Sequence, residues 1–185
     1  MTSAFWWCNF DLSIQNFMKH EFINVICNLA LFLSIITVAE SCEKDKIAIG
    51  NTHQGGIIFY IDDTGEHGLV AAPSDQGKEQ WGCWDNVTGA DGSAVGTGYQ
   101  NTLNIVNVCP DTGAAFICTN LELNGYTDWF LPSIEELNLI YINLKKNNLG
   151  HLKSTEPIFT WKDAYYWSST SVDSSIVAWS INFKY

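Results

Sequence analysis

The chain has 185 residues, of which 46% are hydrophobic and 14% aromatic, and this is enough apolar material for one packed domain. Its formal net charge is −11, and all nine basic residues are lysine because the sequence contains no arginine. Arginine is the usual bidentate partner of phosphate and sulfate groups, so the composition disfavours nucleic-acid binding.

The first 41 residues have the pattern of an export signal. Residues 22–39 are almost wholly apolar, and Lys19 and His20 precede them as a short basic start. Met18 is an alternative start of translation, because a chain that begins there would have a normal signal sequence. The apolar run is short and partly polar for a membrane span, although a signal anchor stays an alternative.

The sequence around Cys42 is similar to the cleavage junction of bacterial lipoproteins, in which the cysteine is acylated. We therefore expect Cys42 to carry a lipid anchor to the membrane and residues 42–54 to form a tether. This predicts an exported lipoprotein at the outer membrane or cell surface of a Gram-negative bacterium. The alternative is an ordinary secretory cleavage with Cys42 as a bystander.

A hairpin is predicted directly after the tether. Residues 57–61 and 69–72 are rich in β-branched and other apolar side chains, and residues 62–65 have turn chemistry. The two runs should therefore pair as neighbouring antiparallel strands.

Residues 74–100 are rich in glycine and predict a long loop. We expect Trp81 and Trp84 to anchor this loop, because a long loop needs packing of its own. Aromatic rings also stack on sugars, so Trp81, Trp84 and Tyr99 are the candidates for ligand contact. The acidic residues of the loop lack the spacing and the final glutamate of an EF-hand, so no metal site is predicted.

Helical periodicity follows the loop. Residues 102–108 and 113–121 each place apolar side chains on one face, and Pro110 separates them. A further helix is predicted over residues 134–146, where Asn147 and the residues after it end the apolar stripe.

The start of that third helix carries a local signal. A short strand ends at Leu131, and the Ser133 side chain can accept a hydrogen bond from the N–H of Glu136 while the Glu136 carboxylate bonds back to Ser133. This is a capping box. We expect Trp129 and Leu131 to lie in the core. The residues of this structural motif are Asp128, Trp129, Pro132, Ser133 and Glu136.

The C-terminal part returns to strand. Residues 165–169 and 176–183 flank a turn, and the second run places Val177, Trp179, Ile181 and Phe183 on one face, which we expect to pack inward. The predicted fold class is therefore α+β, with short antiparallel hairpins at both ends, two or three helices, and long loops.

The cysteines indicate a disulfide and not a zinc site, because no CxxC motif is present. In an exported protein, two of Cys83, Cys109 and Cys118 should pair. Cys109 with Cys118 closes the shortest loop and is the preferred pair, which would leave Cys83 free, while the other pairings stay open.

An ordered series of short motifs runs through residues 55–183 and resembles the Lcl C-terminal domain family, named after the end domain of a bacterial collagen-like adhesin. The resemblance implies a C-type-lectin-like fold displayed on the cell surface, and sulfated-polysaccharide binding for the founding adhesin. Relatives continue into a final strand, so the domain at 55–185 is expected to lack its last strand. The motifs are Gly55-Gly56-Ile57-Ile58-Phe59-Tyr60, His67-Gly68-Leu69-Val70-Ala71-Ala72, Trp81-Gly82-Cys83, Gly125-Tyr126-Thr127-Asp128-Trp129-Phe130-Leu131-Pro132-Ser133, Tyr166-Trp167-Ser168-Ser169 and Ala178-Trp179-Ser180.

The function predicted from these patterns is a non-enzymatic binding or adhesion module for an extracellular polysaccharide or a host cell-surface glycan. No catalytic constellation stands out, and no cofactor is expected. One alternative is an oxidase like the formylglycine-generating enzymes, which would use Cys109 with Cys118 or Cys83 as a thiolate pair. Another is a degenerate structural fragment without a ligand.

Overall fold

A computed structural model describes residues 4–5, 9–11, 47–83, 85–149, 165–172 and 177–183. The strands are β1 (Ala4–Phe5), β2 (Asn9–Asp11), β3 (Thr52–His53), β4 (Gly56–Ile61), β5 (Gly68–Ala71), β6 (Lys78–Glu79), β7 (Tyr165–Ser171) and β8 (Ala178–Asn182). The helices are α1 (Gly98–Val108), α2 (Ala114–Thr119) and α3 (Ile134–Ile140), and α3 continues into a π-helical turn (Tyr141–Lys145).

The fold is mixed α+β, as the sequence predicts. One sheet has the strand order β2-β5-β4-β3 and the other the order β6-β1-β7-β8. The antiparallel hairpins β4–β5 and β7–β8 are both present, so both predicted hairpins are confirmed.

Strand β4 has core on both of its faces. Ile58 packs in a cluster with Trp129 and Leu131, whereas Phe59 packs in a second cluster with Leu137. Successive side chains of a strand point to opposite faces, so neighbouring residues of β4 enter different clusters. The hairpin β4–β5 is therefore sandwiched between the two halves of the core.

The first helix begins four residues earlier than the sequence predicts, at Gly98. Its N-cap residue, Thr97, is of a type that favours this position but makes no side-chain capping bond. The apolar periodicity used in the prediction does not reach this first turn. In contrast, α3 begins at Ile134 as predicted, directly after the Ser133 cap.

The inward face predicted for β8 is only half correct. Phe183 is buried, but Val177 and Trp179 are 57% and 51% exposed. The β7–β8 register shifts between Trp167 and Ser171. The extra residues of this shift lie in β7, so the face of Val177, Trp179, Ile181 and Phe183 continues but becomes covered only toward its C-terminal end.

The disulfide prediction is wrong. Cys109 is bonded to Cys83 with an S–S distance of 2.05 Å, and not to Cys118. Cys109 follows the last turn of α1, and its Sγ also lies 3.0 Å from the backbone nitrogen of Cys83. Tertiary packing therefore brings the more distant cysteine into bonding range, and the expectation of a free Cys83 is also wrong.

Most of the N-terminal part lies outside the described residues. Cys42, the expected lipid anchor, lies outside the described residues, as does Trp84. Strands β1 and β2, however, come from the segment in which we predicted an export signal, and they pair with strands of the domain. Within the described ranges, no helix is long and apolar enough to cross a membrane.

Candidate functional site

The capping box at the start of α3 is present. The Oγ of Ser133 accepts a hydrogen bond from the N–H of Glu136 at 3.3 Å, and Oε2 of Glu136 accepts one from the N–H of Ser133 at 2.7 Å. Two N–H groups that a helix start leaves without partners are thereby satisfied. Trp129 and Leu131 are buried before this cap, and Asp128 is half-buried, so this junction is part of the core.

Glu136 also fixes the loop that leads into α1. Its side chain is fully buried, and its Oε1 accepts a hydrogen bond from the N–H of Gly96 at 2.7 Å. A buried carboxylate is costly unless hydrogen bonds satisfy it. Here backbone donors serve both oxygens, so Glu136 connects the loop to the helix.

The start of α3 holds the same loop at two further points. The Ser133 hydroxyl donates to the carbonyl oxygen of Ala94 at 3.0 Å. The N–H of Glu135 donates to the carbonyl oxygen of Ser93 at 3.2 Å. The loop therefore runs along the helix start with its backbone groups paired.

Asn101 holds the middle of the loop from the buried side of α1. Its Nδ2 donates to the carbonyl oxygen of Gly92 at 2.6 Å, and its Oδ1 accepts from the N–H of Gly92 at 3.1 Å. Both amide functions of one buried side chain thus bind one residue of the loop.

Strand β7 holds the loop from its other side. The N–H of Ser171 donates to the carbonyl oxygen of Ala90 at 2.6 Å. The hydroxyl of Thr170 donates to the carbonyl oxygen of Gly92 at 2.8 Å. We call residues 88–97 the pinned loop, because α1, α3 and β7 all bond its backbone.

The pinned loop presents an exposed surface next to the first turn of α1. Tyr99 is 52% exposed, and its ring makes an edge-on contact with Phe130 at a centroid distance of 6.0 Å. Beside it, the Gln100 amide donates to the Asn104 side chain at 2.9 Å, and Asn104 donates to the carbonyl oxygen of Gly89 at 3.0 Å. The Tyr99 ring and the Gln100–Asn104 amide pair therefore both lie in the first two turns of α1.

The predicted ligand residues have different environments. Trp81 is only 7% exposed, and its indole N–H donates to the carbonyl oxygen of Ser168 at 2.7 Å. Its predicted anchoring role is confirmed, and its predicted ligand contact is wrong because the ring is covered by core residues. Of the three rings, Tyr99 is the one that the structure describes as exposed.

The tryptophan and serine residues of the C-terminal hairpin are mainly structural. The Trp167 indole N–H donates to the carbonyl oxygen of Glu79 at 3.1 Å. The buried Ser168 hydroxyl donates to the carbonyl oxygen of Trp179 at 2.9 Å. These bonds join β7 to β6 and β8. The rings of Trp179 and Tyr165 are exposed, although the alternation of the last strand predicts an inward Trp179.

The local sequence also gave no sign that Asn101 and Glu136 would clamp the loop. Both are polar residues on helices that could equally face solvent. Their burial depends on where the loop lies, and no spacing rule predicts that.

Known proteins offer no guide to this site: no family model, no curated protein and no solved structure matches the chain. Within the described part, no three His, Cys, Asp or Glu side chains are grouped so as to hold a metal ion.

Proposed function

We propose that this chain is a non-enzymatic binding or adhesion module displayed at the cell surface. The observation that carries this proposal is the pinned loop, whose irregular backbone is bonded to three different elements. Long irregular loops in compact domains are usually functional or disordered. A loop that is already ordered loses little conformational entropy when a ligand binds.

The chemistry beside the loop favours a polysaccharide as the ligand. The Tyr99 ring is exposed and is braced by Phe130, so it offers a flat apolar surface to the face of a sugar ring. Gln100 and Asn104 offer amide donors and acceptors to sugar hydroxyls.

The charge of the surface favours a neutral polysaccharide over a sulfated one. Asp85 and Asp91 are exposed in and next to the pinned loop, and the chain has a formal net charge of −11. Like charges repel at close range. The sulfated ligand implied by the family resemblance is therefore a poorer match than an uncharged glycan.

The export and anchoring predictions complete this proposal. Acylation at Cys42 would hold the domain at the outer membrane of a Gram-negative bacterium. The tether would be shorter than the expected residues 42–54, because Thr52 and His53 form β3, which pairs with β4. The resemblance to the Lcl C-terminal domain family supports a C-type-lectin-like arrangement, with which the observed α+β fold is compatible. Incorporation of labelled fatty acid that is lost in Cys42→Ala, but retained in Cys27→Ala, would support the anchor.

Glycan binding tests the proposal directly. The purified, folded protein should retain at least one neutral glycan on an array. Tyr99→Ala should weaken that binding roughly tenfold or more, whereas Tyr165→Ala, which removes another exposed ring, should leave it unchanged. Absence of any retained glycan, or equal losses in both variants, would count against the proposal.

The oxidase alternative depends on the state of the cysteine pair. Tertiary packing does bring Cys83 and Cys109 together, and they form a disulfide. Thiolates, and not disulfides, bind metals and attack substrates. A pair that resists thiol reagents in the native protein would exclude this chemistry.

A further inference from the structure

Two tight turns of the domain are in direct contact. Gln54 and Gly55 connect β3 to β4 and have φ angles of 45° and 82°. Asn124 and Gly125 form a second turn, with φ angles of 54° and 82°. Two consecutive residues with positive φ are the mark of a type I′ turn. We call these two elements the Gln54 turn and the Asn124 turn.

The Asn124 side chain holds the two turns together. Its Nδ2 donates a hydrogen bond to the carbonyl oxygen of Gly55 at 2.8 Å. A Cβ added at Gly55 would lie 2.9 Å from the Cβ of Asn124 and 3.0 Å from the Cδ2 of Tyr126. The packing between the turns therefore leaves no room for a methyl group at Gly55.

The Asn124 turn brings together the two reacting groups of a deamidation. Asn124 is the only asparagine of the chain that is followed by glycine. Both residues of this turn are exposed, and a Cβ placed on Gly125 would meet nothing within 4 Å beyond its chain neighbours. Among the described residues, the N–H of Gly125 has no hydrogen-bond acceptor. Its backbone nitrogen is therefore an unhindered nucleophile beside a side-chain amide.

We propose that Asn124 is a site of spontaneous deamidation, and that this reaction separates the two turns. The backbone nitrogen of Gly125 attacks the Cγ of Asn124, and the new C–N bond closes a cyclic succinimide. The Cγ–Nδ2 bond breaks, and Nδ2 leaves as ammonia with the proton of the Gly125 N–H. Water then adds to either ring carbonyl and opens the ring to aspartate or isoaspartate. No oxidant or reductant takes part.

Both products lose the bond that joins the turns. An aspartate at position 124 would place a carboxylate against the carbonyl oxygen of Gly55, and two acceptors without a donor between them repel. Isoaspartate would also add a carbon to the backbone, which the two-residue Asn124 turn cannot accommodate. The reaction therefore releases the Asn124 turn from the hairpin of β3 and β4.

The folded protein slows this reaction. A planar succinimide ring requires a ψ at Asn124 that a type I′ turn does not have, so the turn must open first. Opening also breaks the hydrogen bond to Gly55. Deamidation should therefore be about fivefold slower in the folded protein than in the unfolded chain.

Peptide mapping by mass spectrometry tests the site, after incubation of the protein at mildly alkaline pH with and without urea. Asn124 should be converted under both conditions, and more slowly without urea. Asn120 is the internal control, because it is exposed and its amide also donates to a backbone carbonyl oxygen, that of Phe116 at 2.8 Å. The next residue is Leu121, whose N–H is bonded to the carbonyl oxygen of Cys118, so Asn120 should stay unconverted.

Three results of this mapping would overturn the proposal. They are no conversion of Asn124 in the folded protein, equal rates with and without urea, and conversion of Asn120 as fast as that of Asn124. The measurement needs no variant, so a folding defect cannot confuse it. It is also independent of glycan binding, which is tested at Tyr99.

Hydrogen exchange at the Tyr126 amide tests the consequence. This N–H donates to the carbonyl oxygen of Leu123 across the Asn124 turn at 3.1 Å. Asn124→Asp reproduces one product and tolerates the positive φ, and the Tyr126 amide should exchange about fivefold faster in this variant. Glu122→Gln changes a charge at an exposed neighbouring position and should leave the rate unchanged. An unchanged rate in Asn124→Asp would refute the release of the turn.

Discussion

Gly96 donates its backbone N–H to the buried Oε1 of Glu136 at 2.7 Å, across forty positions of sequence. This bond joins the end of the pinned loop to the first turn of α3. The other carboxylate oxygen closes the capping box at Ser133. One side chain therefore sets both where a helix begins and where the candidate binding loop lies.

Glu136→Gln should destabilise the protein by about 1–3 kcal/mol, because the amide group places a donor against one of two buried backbone donors. Glu135→Gln is the matched control, since Glu135 is the exposed neighbour in the same helical turn. Urea unfolding of both variants measures the difference. Equal stabilities would show that the buried carboxylate has no special role.

Gly98→Ala should also be destabilising, by about 1–3 kcal/mol, because its Cβ would overlap Oε2 of Glu136 and approach the Phe130 ring to 2.9 Å. Gly82→Ala provides the control. Its added Cβ would lie 3.5 Å from Ile105, which is an ordinary contact. Thermal unfolding should separate the two variants, and a Gly98→Ala protein as stable as the Gly82→Ala protein would contradict this packing.

Thr102 links α1 to the segment that precedes α3, where the sequence predicts a short strand ending at Leu131 but the structure describes no named strand. Its Oγ1 donates to the carbonyl oxygen of Gly98 at 2.7 Å and accepts from the N–H of Leu131 at 3.0 Å. Thr102→Val should cost about 1–3 kcal/mol, because it keeps the shape but leaves the buried N–H of Leu131 unpaired. Thr102→Ser keeps the hydroxyl, so its free energy of unfolding in chemical denaturation should be higher than that of Thr102→Val. A Thr102→Ser protein that is less stable than Thr102→Val would refute the role of the hydroxyl.

The disulfide between Cys83 and Cys109 spans 26 positions of sequence. Removing it by Cys83→Ser should lower the free energy of unfolding by about 3 kcal/mol, since the unfolded chain regains the entropy of an open loop. Ser74→Ala, at an exposed position, should have little effect. Peptide mapping that links Cys109 to Cys118 would contradict the assigned pair.

The turn between β4 and β5 gives a pH prediction. The hydroxyl of Thr64 donates to the Asp62 carboxylate at 2.7 Å, and this bond is the main cause that lowers the pKa of Asp62 below its ordinary value of 3.8. A lowered folded-state pKa adds stability that is present above pH 3.8 and is lost as the pH falls through the folded-state pKa.

An NMR titration of the Asp62 carboxylate measures this effect. Thr64→Val should move the pKa of Asp62 back toward 3.8, whereas Asp63→Asn, at the exposed neighbouring position, should change it less. An identical Asp62 titration in the original protein and in Thr64→Val would refute the hydroxyl as the cause.

Features that depend on spacing along the chain were predictable. The capping box requires only Ser133 and Glu136 three residues apart, and helical geometry then brings their groups together. The hairpin β4–β5 likewise follows from two apolar runs and a short turn. For these elements, local geometry decides the partner.

The candidate site was less predictable, because its contacts join distant positions. Of the rings predicted to contact a ligand, Tyr99 is exposed, but Trp81 is covered by the core. Nothing in the periodicity of α1 indicates that Asn101 bonds Gly92. Exposure and pairing at such positions depend on which elements pack over them.

The sequence by itself determined the α+β class, the two hairpins and the capped start of α3 at Ser133, since each follows from periodicities of two or 3.6 residues and from capping chemistry. Only the tertiary structure decided that Cys109 bonds Cys83, that Glu136 reaches Gly96, and that β2 covers β5. These contacts close long loops, and many alternative partners have similar loop-closure entropies. The packing of the whole core therefore selects among them.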